Sequence, residues 1–121
     1  MRAIGNKGED FAVKILKKEG YEIIERNFTI RGGEIDIIAR DGEYLVFVEV
    51  KLRKSVDFGR PSEFVTKAKR EHIIHTASTY LSIYEIDLPT RFDVVEIIAK
   101  EGKWGKLKVE EYTIIKDAFT C

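Results

Sequence analysis

The sequence lacks the residues on which several classes of protein depend. Its 121 residues include a single cysteine, Cys121, which excludes a disulfide framework and a zinc site built from cysteines. No apolar run approaches the ~18 residues that a membrane helix needs, and the first residues contain no apolar segment of the signal-peptide type. Glutamine is absent, and proline occurs only twice. We therefore expect a cytoplasmic protein without a membrane anchor.

The chain also has no net charge, because 21 Lys and Arg residues balance 21 Asp and Glu residues. The balance is uneven along the chain, since residues 51–70 hold seven basic and two acidic side chains. A neutral protein with such a segment is able to bind a polyanion locally, although a solvated charged surface explains the same pattern. With 44% apolar residues the chain is too hydrophobic for a disordered protein. Its length fits one domain over residues 1–121.

Hydrophobic periodicity predicts the element order α-β-β-β-α-β-β. The predicted elements are a helix over 8–19, strands over 21–30, 34–40 and 44–53, a long helix after Pro61, and strands over 91–99 and 106–115. The two strands on either side of Asp41-Gly42 have the strongest hairpin signal. The predicted fold class is α/β, with a central mixed sheet flanked by helices in an α+β arrangement.

Two carboxylates of this hairpin are predicted to share one face of the sheet. In the third strand, alternation places Glu49 and Lys51 on the same face. A two-residue turn at Asp41-Gly42 pairs Glu34 with Glu49. A four-residue loop instead pairs Asp36 with Glu49, and in either register the roots of these two side chains lie within ~5–8 Å of each other. A three-residue loop would place them on opposite faces.

Converging carboxylates on an apolar sheet face indicate a cation site. Two such groups repel each other, and each raises the pKa of the other unless a cation lies between them. A hard divalent ion such as Mg²⁺ suits an all-oxygen site, because one or two carboxylates suffice when water and phosphate oxygens complete the shell. The residues leave a second explanation open, in which Glu49 and Lys51 belong to a cross-strand charge network on a half-exposed sheet.

The same residues support a resemblance to known families. An acidic residue followed about a dozen residues later by Glu-x-Lys resembles the motif of the PD-(D/E)XK nuclease superfamily. Asp36 and Glu49-Val50-Lys51 occupy these positions, with Ile35 in place of the proline in the name. Most of the chain also resembles the YraN-type family of uncharacterised bacterial proteins, which are similar to archaeal Holliday-junction resolvases. The matching segments are Gly8-Glu9, Arg26-Asn27, Gly33-Glu34-Ile35-Asp36, Phe47-Val48-Glu49-Val50-Lys51, Phe58-Gly59, Lys69 and Arg91-Phe92-Asp93.

The resemblance implies a restriction-endonuclease-like core and a metal-dependent endonuclease that hydrolyses phosphodiester bonds of branched or otherwise structured DNA. It implies that Asp36, Glu49 and the carbonyl oxygen of Val50 bind Mg²⁺ or Mn²⁺, and that Glu9 completes the site from the first helix. Lys51 would orient the attacking water and offset the charge of the transition state. Glu9 has an equally ordinary explanation, because acids favour helix N-termini.

Six basic side chains are candidates for contacts with the nucleic-acid backbone, and each is also explained as an ordinary solvated cation. They are Lys69, Arg53, Lys54, Arg60, Lys67 and Arg70. The alternative function is a non-catalytic nucleic-acid-binding module that keeps the nuclease fold. Since similar resolvases act as two-fold dimers, the resemblance also implies a homodimer. Trp104, at a predicted hairpin tip, either stacks on a base or covers the turn.

Overall fold

The fold is a five-stranded mixed sheet with one helix on each face. The computed structural model describes residues 3–54 and 65–120, with side chains from residue 7 onward. The elements are α1 (Ala3–Lys18), β1 (Glu22–Ile30), β2 (Gly33–Asp41), β3 (Tyr44–Lys54), α2 (Lys67–Ile83), β4 (Thr90–Glu101) and β5 (Leu107–Phe119). The predicted order is confirmed, and the arrangement is that of a restriction-endonuclease-like α/β fold.

The strands lie side by side in chain order, β1-β2-β3-β4-β5. Only β3 and β4 run parallel, while the other neighbours are antiparallel. Parallel neighbours need a long crossover connection, and α2 lies within the segment that joins β3 to β4. Neither helix described in the structure is long and apolar enough to cross a bilayer.

The first helix covers one face of the sheet through its apolar stripe. Ala12, Ile15 and Leu16 are buried against residues of the three central strands, among them Ile37 and Val48. A Schellman motif ends the helix. Its two hydrogen bonds run from the N–H of Tyr21 to the carbonyl of Leu16 (2.9 Å) and from the N–H of Gly20 to the carbonyl of Lys17 (3.0 Å). Gly20 has a φ of 95°, which favours glycine.

The second helix covers the opposite face, where Ile73, Ala77 and Tyr80 are buried. The helix begins at Lys67, and the hydroxyl of Thr66 caps it by accepting from the N–H of Lys69 (3.2 Å). At the start of β2, a Cβ built on Gly33 would lie 1.9 Å from Thr76 Oγ1. Glycine at this position therefore lets α2 pack close to the strand that carries Asp36.

The predicted turn at Asp41-Gly42 is wrong by one residue. Asp41 pairs with Tyr44, so the turn residues are Gly42 and Glu43. Gly42 has a φ of 61°, whereas Glu43 has no positive φ. This combination matches a type II′ turn, which places glycine at the first central position and suits the twist of the flanking strands. The shift selects the register in which Asp36 faces Glu49.

Candidate metal centre

Asp36 and Glu49 come together where β2 and β3 stop pairing. The ladder between the two strands ends at Ile37–Val48, and the same register continued by one residue sets Asp36 opposite Glu49. Beyond the ladder, the N–H of Val50 donates to Asp36 Oδ2 at 2.8 Å. The Asp36 carboxylate thus accepts from a Val50 N–H that lies beyond the end of the backbone ladder, and this hydrogen bond fixes the Asp36 side chain. Because the N–H and C=O of a strand residue point to the same neighbour, the Val50 carbonyl lies on the Asp36 side of β3.

Glu49 is a poorly compensated buried acid. Its side chain is only 12% exposed, and its Oε2 is buried with no hydrogen-bond donor among the described residues. Burial, a hydrogen bond with Asp36 and the charge of Asp36 raise the pKa of Glu49 from 4.5 to about 9. Lys69 acts in the opposite direction, and Glu34 adds a smaller increase. Without another cation, Glu49 is therefore protonated at neutral pH.

Lys69 reaches this pair from the first turn of α2. Its Nζ lies 3.8 Å from Glu49 Oε2 while its side chain stays 55% exposed. The first turn of α2 contains no acidic residue. Its free N–H groups and basic side chains therefore leave a positive pole beside the carboxylates.

A cleft of about 230 Å³ opens on Glu49 between β3 and the start of α2. The residues that line it are Glu49, Val50, Lys51, Val65, Thr66 and Lys69. Lys51 is half-buried, and within the described residues it forms no ion pair. The cleft therefore brings Glu49, the neighbour of Asp36, and two lysines to one opening.

Glu96 is a charged residue at the site that the sequence reasoning missed. It is Lys51's partner in the parallel ladder, so the two side chains share a face, and it is only 8% exposed. Its Oε2 accepts from Arg53 Nε at 2.8 Å. The signal was a glutamate in the middle of an apolar run, Val94-Val95-Glu96-Ile97-Ile98, which is the same signal that identified Glu49.

Glu9 lies on α1, close to Arg26 of β1. Its Oε1 is 3.7 Å from the Arg26 guanidinium, which also binds Asp10 at 2.8 Å. The charges that shift the pKa of Glu49 come from Asp36, Lys69 and Glu34. The role of Glu9 as a metal ligand stays a prediction.

The candidate phosphate contacts differ in their exposure. Lys54 and Lys67 are exposed and Arg70 is half-buried, while Arg53 is 19% exposed and engaged by Glu96. Arg60 lies outside the described residues. Four of the six candidates therefore remain accessible to an anionic ligand: Lys54, Lys67, Lys69 and Arg70.

The protein ligands available to a metal are few. Among residues 7–54 and 65–120, no three or more His, Cys, Asp and Glu side chains are grouped so as to hold a metal ion. Asp36 and Glu49 together with a backbone carbonyl would leave about half of an octahedral shell to other oxygens. That number of carboxylates is usual for Mg²⁺ and unusual for Ca²⁺, which prefers a fuller set of protein oxygens.

Another buried acid, Asp93, has hydrogen-bond donors that compensate its charge fully. It is 0% exposed and accepts four hydrogen bonds at 2.7–2.9 Å from the hydroxyl of Tyr21, two guanidinium nitrogens of Arg91 and the N–H of Asp117. Arg91 and Asp93 therefore form a buried ion pair. Asp93 has a structural role, whereas Glu49 retains a buried oxygen that a ligand would satisfy.

Comparison with known proteins gives consistent matches over most of the chain. The model of the uncharacterised protein family UPF0102 matches residues 8–97. A UPF0102 protein of Caldicellulosiruptor saccharolyticus is 44% identical over 119 residues, which are 98% of each chain. UPF0102 proteins of Prosthecochloris aestuarii and Acetivibrio thermocellus are each 48% identical, over 96% and 98% of this chain and 92% of their own. Glu9, Asp36, Glu49 and Lys51 all lie within the matched segment.

Proposed function

The chain belongs to the uncharacterised protein family UPF0102, and we propose that it is a metal-dependent endonuclease that hydrolyses DNA phosphodiester bonds, with branched or otherwise structured DNA as its substrate. One observation supports this most directly: the buried Glu49 carboxyl group lies beside Asp36 with its Oε2 lacking a hydrogen-bond donor among the described residues. When both carboxyl groups are ionised, Lys69 at 3.8 Å offsets only one of the two negative charges. A divalent cation would compensate both.

The donor set fits Mg²⁺ or Mn²⁺. Asp36, Glu49 and the carbonyl of Val50 are oxygen donors, and two carboxylates are enough when water and substrate phosphate supply the remaining ligands. A cation bound there would activate water for attack and stabilise the charge that develops on the phosphate. Because Glu49 must ionise to bind it, binding releases the proton that Glu49 otherwise holds at neutral pH.

Two lysines then act on the phosphate rather than on the carboxylates. Lys51 lines the cleft two residues beyond Glu49, where its ammonium group would lie against the reacting phosphate and offset the added negative charge. Lys69, whose Nζ lies 3.8 Å from Glu49 Oε2, would contact another oxygen of the same phosphate. The positive end of α2 beside Thr66 favours the same anion.

The test is calorimetric titration of Mn²⁺ into the metal-free protein without DNA. Wild type is compared with Asp36→Ala, Glu49→Ala and the control Glu43→Ala, which removes an exposed carboxylate from the turn of the same hairpin. We expect saturable binding in wild type and control and none in the other two variants. Cleavage of branched and linear DNA should then need Mn²⁺ or Mg²⁺ and be lost in Glu49→Ala and Lys51→Ala. Absence of Mn²⁺ binding with and without DNA contradicts the proposal.

A second candidate function is a nucleic-acid-binding module without turnover. The observation in its favour is the small ligand set, since the described residues group no three metal-binding side chains together. In that case the neutral Glu49 and the lysines of the cleft would simply hold a phosphate. The Glu49→Ala variant separates the two functions, because a binding module would hold DNA as well as wild type, whereas the nuclease would lose cleavage while remaining folded.

A further inference from the structure

Trp104, in the turn that joins β4 to β5, is the only tryptophan of the chain, and it is 94% exposed. It also has a φ of 62° within the short 3-10 turn Lys103–Gly105, a left-handed conformation that is rare for a bulky residue. An indole held in water in a disfavoured backbone conformation stabilises neither the core nor the turn. Such outliers concentrate at binding sites.

The backbone of the turn is held firmly even though the ring is free. The N–H of Gly102 donates to the carbonyl of Lys106 at 2.6 Å, and the N–H of Lys106 donates to the carbonyl of Lys103 at 3.3 Å. The ammonium group of Lys7 in α1 donates to the carbonyl of Gly105. The turn is thus closed on itself and tied to the first helix, which presents the indole on a fixed support.

Lysines lie on either side of Trp104 in the sequence and beside its turn. Lys103 and Lys106 flank it along the chain, and Lys7, Lys14 and Lys106 line a depression of about 400 Å³ between α1 and the start of β5. The one acid there, Asp10, is bound to Arg26 at 2.8 Å. Phe11, Leu107 and Val109 complete the lining of the depression. The turn therefore presents its indole beside a surface that combines lysines with apolar side chains.

An aromatic ring among lysines is the chemistry that binds single-stranded nucleic acid. Bases stack on exposed aromatic side chains, and lysines contact the phosphates between them. The bases of an intact duplex are already stacked on one another, so an indole face needs an unpaired base. We propose that the β4–β5 turn binds single-stranded DNA, with Trp104 stacked on an unpaired base and Lys7, Lys103 and Lys106 on the flanking phosphates.

This proposal rests on the proposed function for the choice of DNA, and it specifies the substrate. Lys51 lies beside Glu96 in the parallel ladder, and Trp104 follows Glu96 by eight residues, so the turn lies at most ~26 Å beyond the cleft along β4. The substrate class is therefore DNA that has an unpaired segment close to the bond that is cut.

The single tryptophan makes the proposal directly measurable. Oligothymidylate is titrated into the protein in EDTA, where no metal-dependent cleavage occurs, and Trp104 fluorescence is followed. We expect quenching by oligothymidylate and much weaker quenching by a blunt duplex hairpin of equal length. With labelled oligothymidylate, Trp104→Ala should bind roughly tenfold more weakly. The double variant Lys103→Ala/Lys106→Ala should reduce the salt dependence of log K by about 1.4.

The control Tyr84→Ala removes another exposed aromatic, at the end of α2, and should bind oligothymidylate like wild type. Equal quenching by the duplex overturns the proposal, as does quenching only by anionic lipid vesicles. The two proposals fail separately. A Glu49→Ala variant without metal binding or cleavage should still be quenched, whereas a protein that cleaves DNA but shows no quenching contradicts the turn proposal alone.

Discussion

Replacing Glu49 with glutamine should remove a large pH dependence from the stability of the metal-free protein. Glutamine has the shape of a protonated glutamate and keeps a donor for Asp36. The pKa of Glu49 is 4.5 when unfolded and about 9 in the fold, so between these values the folded state holds one more proton than the unfolded state. The contribution of Glu49 to stability is therefore most favourable below pH 4.5 and becomes less favourable as the pH rises towards 9.

The size of the effect follows from the shift. Each pH unit inside this window costs ~1.4 kcal/mol at 25 °C, so wild type should lose about 3 kcal/mol between pH 6 and pH 8 relative to Glu49→Gln. Urea unfolding in EDTA at both pH values measures it, with Glu43→Gln as the control that keeps the wild-type profile. Wild type and Glu49→Gln share all their other titrating groups. The difference between their pH–stability profiles is therefore caused by Glu49.

Two results would refute the reasoning. If the profiles of wild type and Glu49→Gln differ by less than ~0.5 kcal/mol between pH 6 and pH 8, Glu49 is ionised in the metal-free fold and the pair with Asp36 is not coupled. If Mn²⁺ stabilises Glu49→Gln at pH 8 as much as wild type, the cation does not bind at Glu49. A site present only in wild type should add ~2.7 kcal/mol at a hundredfold excess over its Kd.

Three further predictions test other parts of the structure. Mn²⁺ affinity should rise between pH 6.5 and pH 8 in calorimetric titrations, because the metal must displace the Glu49 proton; equal affinities would contradict this. Asp93→Asn should lower the free energy of unfolding by ~3–5 kcal/mol, since it breaks a buried ion pair, whereas Glu110→Gln on the surface should cost less than ~1 kcal/mol in the same urea series. Gly33→Ala should lower the free energy of unfolding by ~1–3 kcal/mol in that series, because its Cβ would overlap Thr76. An unchanged urea midpoint would show that α2 can shift away from β2 at little cost.

The sequence predicted the elements and the shared face of Asp36 and Glu49 because both depend on local rules. Side-chain alternation and turn chemistry act over a few residues, and they narrowed the hairpin to two registers with the carboxylates within one diagonal step. The choice between the registers depended on whether Gly42 took the first or the second turn position. The twist of the flanking strands decides that position, and this twist is not visible in a short sequence window.

The parts that the sequence could not predict depend on contacts between distant segments. Glu96 lies beside Lys51 only because β3 and β4 pair in parallel at one register, and Arg53 is drawn to Glu96 by the same pairing. The approach of Lys69 to Glu49 depends on where α2 begins and on its close packing at Gly33. Charge patterns along the chain indicated the presence of these residues but not their partners.

The parallel pairing of β3 with β4 also has a consequence for how the chain folds. Every pair in that ladder joins residues 45 positions apart, whereas β1, β2 and β3 form a meander of neighbouring hairpins. Because loop closure slows the formation of distant contacts, the meander with Asp36 and Glu49 should form before β4 docks. The carboxylate pair would then remain hydrated until α2 and β4 cover the sheet, so that its desolvation falls late in folding.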